Sequence, residues 1–262
     1  MGEKRVVIVG NGGAATAGAL QPRVSAIALS RFIDRSDVVI RLNMLNNLGT
    51  PGIGSRTDIL AVNNCGQPGR QYAQVFKIAS PILRGLREIL VPVPDSEIAR
   101  WAANPRGDPD RARDWSADVI AHQHWEGLAV TRTSDAANDL LLGALARCAG
   151  HFCIPTTGLR VINHVLAEPR FAGHAVYIVD FHFDGCWGGH TLWAERRYVD
   201  ELIAGGRIRI VPPLRRALRL PARIDAALAM TLWPQQRRPR DKPVRRGLVP
   251  TSPLLQRMKP QA

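Results

Sequence analysis

The chain has 262 residues, 45% of them hydrophobic, and a formal net charge of +13; this length buries one sizeable core, so one main domain is expected. No apolar run reaches the length of about eighteen residues that a membrane-spanning helix needs, and Met1 to Arg5 leads into an apolar strand pattern with no small-residue cleavage site, which argues against a secretion signal. Cys65, Cys148, Cys153 and Cys186 show no paired Cys-x-x-Cys spacing, so neither a zinc ribbon nor a disulfide framework is expected and a reducing, cytoplasmic setting fits.

In chain order, Val6–Val9 reads as a buried strand ended by Gly10-Asn11-Gly12-Gly13, with an Ala-rich helix from Ala14 to Leu20 behind it. Val38–Leu42, Asp58–Val62 and Glu88–Val93 are further apolar strands. The stretch Asp95–Ala121, with Pro105, Gly107 and Pro109, reads as an insertion or mobile loop. A helix over Asp135–Cys148 takes Ser134 as its N-cap, and a second covers Gly158–Ala167. A strand at Ala175–Val179, a helix at Thr191–Ala204 and a strand at Ile208–Val211 follow. Strands apolar on both faces, alternating with helices, predict an α/β domain over residues 1–211: a Rossmann-like, mostly parallel sheet with helices on both faces. Ligands of such sheets bind at the carboxyl ends of the strands.

Residues 212–262 form a second region. They hold twelve Lys or Arg against Asp225 and Asp241, so this extension carries +10 of the +13. The charge therefore belongs to an appendage rather than to a nucleic-acid-reading core, and no nucleic acid partner is expected. Leu214, Ala217, Leu218, Ile224, Leu228 and Leu232 make an apolar stripe among Arg215, Arg216, Arg219 and Arg223. Such a stripe suits peripheral contact with an anionic membrane, here the inner membrane; a solvated arginine-rich tail is the other reading. Beyond Pro234 the Pro/Arg-rich composition predicts disorder.

Chemistry begins at the first loop. Gly10-Asn11-Gly12 follows a strand and precedes a helix, so main-chain N–H groups at the helix start can face a phosphate or a ribose. Gly10, Gly12 and Ala15 also meet a loose dinucleotide fingerprint. A dinucleotide site wants an acid at the end of the second strand, whereas that strand ends in Arg41-Leu42-Asn43; only an NADP variant using Arg41 survives. Arg41 otherwise reads as a structural partner for a buried carboxylate such as Asp58. Asp180, His182, Asp184, Cys186 and His190 crowd together, as do His122 and His124, but at spacings that match no standard zinc pattern, so no metal is expected. Asp108-Pro109-Asp110 has no strand before it and reads as solvated charge.

VVIVGNGG, SDVVIRLN and GIGSRTDILAVNN, spanning about residues 4 to 64, together resemble the long sialyl motif of the sialyltransferases, glycosyltransferase family 29. Pro155-Thr156-Thr157-Gly158 resembles the start of that family's short motif, and His190 with Glu195 reproduces its final motif of His, four residues, Glu. HTLWAERRYVDELIAGGRIRI is similar to small bacterial proteins labelled urease operon accessory proteins, themselves sialyltransferase-like.

The resemblance implies a GT-A-like fold and metal-independent, inverting transfer of a sugar from a CMP-sugar donor, with no bound cofactor, to a glycan or lipid-linked glycan acceptor. Gly10, Asn11, Gly12 and Asn43 would hold the cytidine nucleotide, and Thr156, Thr157 and Gly158 its base and ribose. His190 would deprotonate the acceptor hydroxyl, a task for which histidine has the right pKa without special tuning. His182, in Phe181-His182-Phe183, would support the departing phosphate, and Glu195 would fix the local turn or the imidazole rather than touch substrate. The family's N-terminal anchor and inter-motif disulfide have no counterpart here, and Cys65–Phe152 resembles nothing nameable. Two other functions compete: a non-catalytic accessory protein that kept a nucleotide-binding fold, and an NADP-linked oxidoreductase.

Overall fold

The computed structural model describes residues 2–11, 26–45, 52–78, 85–104, 107–181, 183 and 190–211. The chain divides into two units, Met1–Ala217 and Leu218–Ala262, and the described residues all belong to the first. The expected helix at Ala14–Leu20 and the whole basic extension lie outside them, as do Gly12, His182, Asp184 and Cys186.

Seven strands, β1 (Arg5–Val9), β2 (Val38–Leu42), β3 (Ile59–Ala61), β4 (Glu88–Val91), β5 (Ala129–Arg132), β6 (Ala175–Val179) and β7 (Arg209–Ile210), form one sheet in the order β5-β4-β3-β2-β1-β6-β7. Every pairing is parallel. Among the described residues seven α-helices accompany them: α1 (Ala26–Asp34), α2 (Gly66–Gln74), α3 (Asp95–Ala102), α4 (Ser116–Gln123), α5 (Asp135–Ala149), α6 (Thr157–Ala167) and α7 (Leu192–Ala204). The order of connection reverses between β1 and β6, and sheets of this kind bind their ligands at the carboxyl ends of the strands near such a reversal.

Alternation along each strand assigns the two faces. Val6 and Ile8 of β1 pack with Ile40 and Leu42 of β2 under α5, α6 and α7 through Leu145, Leu159, Ile162 and Val199. Val7 and Val9 point the other way, to Leu29, Phe32 and Ile33 of α1, while Leu60 and Ile89 meet Tyr72 of α2 and Val119 of α4. A strand buried on both faces is apolar nearly throughout, which is why β6 shows in sequence as an unbroken apolar run and β2 as one interrupted only by the buried Arg41. Ser134 caps α5 as expected, its side chain accepting from the Ala137 N–H.

The structure departs from the sequence reading in several places. Asp95–Ala121 is not a loop: it holds α3, most of α4 and a tied-down turn between them. Gly107 and the turn after it separate two short helices, the first with Asp95 and Glu97 in the first turn where the helix dipole favours acids. In Asp108-Pro109-Asp110, Asp108 is exposed as the reading of solvated charge expects, though paired with Arg111 at 3.6 Å, whereas Asp110 is half-buried: it pairs with Arg70 at 3.1 Å, and its carbonyl accepts from Gly66 N at 2.8 Å. Arg41 is structural but does not pair with Asp58. Its Nε and Nη2 donate to the carbonyls of Arg56 and Ile53 at 3.0 and 2.8 Å, whereas Asp58 takes Arg56 at 2.9 Å and the Val39 N–H at 2.8 Å. Arg41 is fully buried, and burial lowers its pKa to about 10.

Candidate active site

The site grows from the carboxyl ends of the central strands. As β1 ends, Gly10 N donates to Val179 O at 2.8 Å. A Cβ on Gly10 would lie 2.4 Å from the Asp180 carbonyl oxygen, so only glycine lets the two strand exits approach. Asn11 Nδ2 donates to Leu42 O at 2.9 Å. Asn43, held at φ 47°, accepts from Asn63 N at 3.0 Å through Oδ1, and Asn63 Oδ1 in turn accepts from Cys65 N at 2.9 Å. Asparagine amides thus continue the ladder beyond the ends of β1, β2 and β3. Among the described residues Asn11 Oδ1 is buried and has no hydrogen-bond partner. A buried acceptor without a donor costs about 1–3 kcal/mol and is relieved by a ligand hydroxyl or amine.

The start of α6 is packed onto this row. A Cβ on Gly158 would lie 2.7 Å from Phe181 Cε1 and 3.3 Å from Leu42 Cδ1, so a side chain there would push the helix off the strand end. Thr156 is the N-cap, its hydroxyl accepting from Leu159 N at 3.3 Å. Thr157 and Gly158 open the helix, whose free N–H groups and dipole favour an anion at that end.

Two residues before Thr156, the Ile154 carbonyl bonds His190 Nδ1 at 2.8 Å. A carbonyl only accepts, so Nδ1 carries the proton and Nε2 keeps the lone pair. His190 is half-buried. Burial lowers its pKa, the Ile154 bond opposes, and Arg111 and Arg160 push the same way as burial, so the site favours the neutral imidazole. Glu195, in the first turn of α7, does not orient this ring. Both its oxygens are taken by Thr156: Oε1 by the main-chain N–H and Oε2 by the hydroxyl, each at 2.7 Å. It is 1% exposed, and burial raises its pKa to about 7.

A cleft of about 430 Å³ opens beside His190 over the ends of β3 and β4, within the range of small-ligand sites. Asn63, Gln71, Trp101 and Arg111 line it, with the Arg111 guanidinium 5.0 Å from the Trp101 ring centre. Its floor includes a buried pair: Arg160 of α6 donates to both oxygens of Glu97 at 2.7 and 2.8 Å. Asn138 Nδ2 adds a bond to Glu97 at 3.0 Å. Burial alone would raise the Glu97 pKa, but Arg160 and Asn138 outweigh it and hold the carboxyl below its usual value. Cys65 also lines the cleft; burial raises its pKa to about 11, so it is a thiol and no nucleophile.

Of the residues singled out from the sequence, Gly10, Asn11, Asn43, Thr156, Thr157, Gly158, His190 and Glu195 gather around the start of α6. Gly12 and His182 lie outside the described residues. Trp101, Arg111, Glu97 and Gln71 were not foreseen: Gln71, Glu97 and Trp101 come from short helices without a motif and Arg111 from the turn before α4, and only the tryptophan among charges at 100–113 hinted at a lined surface. Arg41 spends its bonds on the 53–56 loop, which removes the residue on which an NADP site depended. Among the described residues no group of three or more His, Cys, Asp or Glu is placed to hold a metal ion, and no helix is long and apolar enough to cross a membrane.

No family model matches the chain. Among solved structures it is similar to a mammalian sialyltransferase at 17% identity and a TM-score of 0.45, over 80% of this chain and 70% of that one. It is also similar to the sialyltransferase CstII from Campylobacter jejuni in complex with cytidine-5'-monophosphate, at 12% identity and a TM-score of 0.45, over 82% of this chain and 81% of that one. In sequence it is 33% identical over 187 residues to the urease operon 23 kDa accessory protein of Rhizobium meliloti (strain 1021), spanning 69% of this chain and 85% of the relative. The segment His190–Ile210 had pointed to this group. The chain belongs to the family of the urease operon 23 kDa accessory protein.

Proposed function

We propose that the protein is an inverting, metal-independent glycosyltransferase that moves a sugar from a CMP-sugar to a hydroxyl of a glycan acceptor. The observation that carries this reading is His190, its Nδ1 pinned to Ile154 O beside the start of α6, which leaves Nε2 as the basic nitrogen at a helix N-terminus suited to a phosphate. Nε2 takes the proton of the acceptor hydroxyl, the acceptor oxygen bonds to the anomeric carbon, and the bond from that carbon to the phosphate oxygen breaks. CMP departs with the electron pair, and its phosphate charge is met by the N–H groups of Thr157 and Gly158. A single displacement inverts the centre. Asn11 Oδ1, buried without a donor, supplies an acceptor for a hydroxyl or amine of the nucleotide, and the cleft walled by Trp101 and Arg111 receives the acceptor sugar.

The relative's name supports a second reading, a non-catalytic accessory protein that works through protein contacts. Calorimetric titration with CMP, CDP and NADPH, with and without EDTA, separates the readings. Metal-independent CMP binding that weakens in Asn11→Ala supports the transferase; no binding of any nucleotide overturns it and leaves the accessory role. His190→Ala should abolish transfer yet keep CMP affinity, because a base acts in the transition state.

A further inference from the structure

The segment Ile154–Thr156 is gripped at both ends by one short stretch of chain. His190 holds Ile154 O, and five positions on, in the first turn of α7, Glu195 holds Thr156. The grip is specific. A main-chain N–H and a hydroxyl, 39 residues away in sequence, converge on the two oxygens of a single carboxylate at 2.7 Å each. The hydroxyl is used twice, donating to Glu195 and accepting from Leu159 N, so the carboxylate also fixes the rotamer that caps α6. Among the described residues no cation bonds Glu195; Arg160 acts on it only at a distance, its own bonds going to Glu97 and Asn138. A carboxylate kept buried against neutral donors destabilises the fold when it ionises, so packing alone does not explain it.

We propose that Glu195 is a positioning residue, which locks the capped start of α6 to α7 and thereby sets the distance between the imidazole of His190 and the helix end that faces the nucleotide. The proposal rests on the transferase reading for its purpose but not for its geometry. Glu195 touches no reacting atom. It acts through Thr156, and the loss it prevents is a drift of the helix end relative to the base, to which transfer is sensitive at the scale of an ångström.

The test uses the full-length protein, labelled with 15N and free of ligand, and follows exchange of the His190 Nδ1 proton that Ile154 protects. Glu195→Gln should speed this exchange about tenfold and weaken CMP binding about tenfold, while its melting temperature at pH 8 stays at or above that of the unaltered protein. Thr156→Val should reproduce both losses, and Thr156→Ser, which keeps the hydroxyl, should show neither; this pair keeps the test decisive if Glu195→Gln fails to fold. A lower melting temperature with unchanged His190 exchange would make Glu195 a stabilising residue only and overturn the proposal. If the unaltered protein binds no CMP but Glu195→Gln still frees the His190 proton, the coupling stands and the nucleotide reading falls.

Discussion

Two buried carboxylates flank the cleft and are handled in opposite ways. Glu97 is 5% exposed and Glu195 1%, so both lose most of their hydration. Glu97 receives a bidentate arginine and an amide and its pKa falls; Glu195 receives only an N–H and a hydroxyl, and its pKa rises to about 7. Comparable burial thus gives opposite proton affinity, and the charge of the partner decides which. Glu97 is a fixed anion in a structural pair, whereas Glu195 sits near neutrality in the segment that carries the candidate base.

Breaking the first pair should have the largest effect. Arg160→Met leaves Glu97 buried without its cation and should cost about 3–5 kcal/mol in denaturant unfolding at pH 7. A loss under about 1 kcal/mol would mean that Asn138 alone compensates the charge. The loss should shrink in acid: the lowered pKa of Glu97 gives stability that is present above the unfolded value of 4.5 and disappears as pH falls through the folded value.

The second carboxylate should behave inversely. With a folded pKa of about 7 against 4.5 unfolded, Glu195 contributes stability that is full below pH 4.5 and is lost as pH rises through 7. Its share of the slope amounts to about 3 kcal/mol, and Glu195→Gln should flatten the stability profile across that window. An unchanged slope in the variant would place the titration on another group.

Smaller effects sharpen the contrast between packed and appended parts. Gly158→Ala puts a methyl against Phe181 and should cost about 1–3 kcal/mol in thermal melts, with weaker CMP binding. Deleting residues after Pro234 should leave the melting temperature of the α/β unit unchanged. It should also reduce sedimentation with anionic vesicles at low salt; equal partitioning of both proteins would favour a solvated tail.

The legible parts of the molecule were those whose burial is uniform. Val38–Leu42 and Ala175–Val179 show their bounds because both faces are covered. β5, with Ala129 and Val130 exposed at the sheet edge, carries no such run and was missed, as were the short helices α1 to α4. In the site, Asn11, Asn43, Thr156 and His190 could be read from motifs, since each lies at the end of a recognisable strand or helix. The bonds of Glu195 to Thr156 and of Arg160 to Glu97 could not, because they join residues 39 and 63 positions apart with no local pattern to record them.

The place of β1 in the sheet has a consequence for how the chain reaches this state. β1 is an interior strand whose two neighbours lie far apart in the chain: Val6 pairs with Val38 on one side but with Val176 on the other. During synthesis one edge of β1 therefore waits, apolar and unpaired, until β6 emerges, and such long-range parallel pairing is slow and prone to aggregation. The bond from Gly10 N to Val179 O forms only when that edge closes, so Gly10 and Asn11 reach their places late. A ligand that bound at this strand end would meet only chains in which β6 has paired, and by mass action would draw late intermediates toward the finished fold.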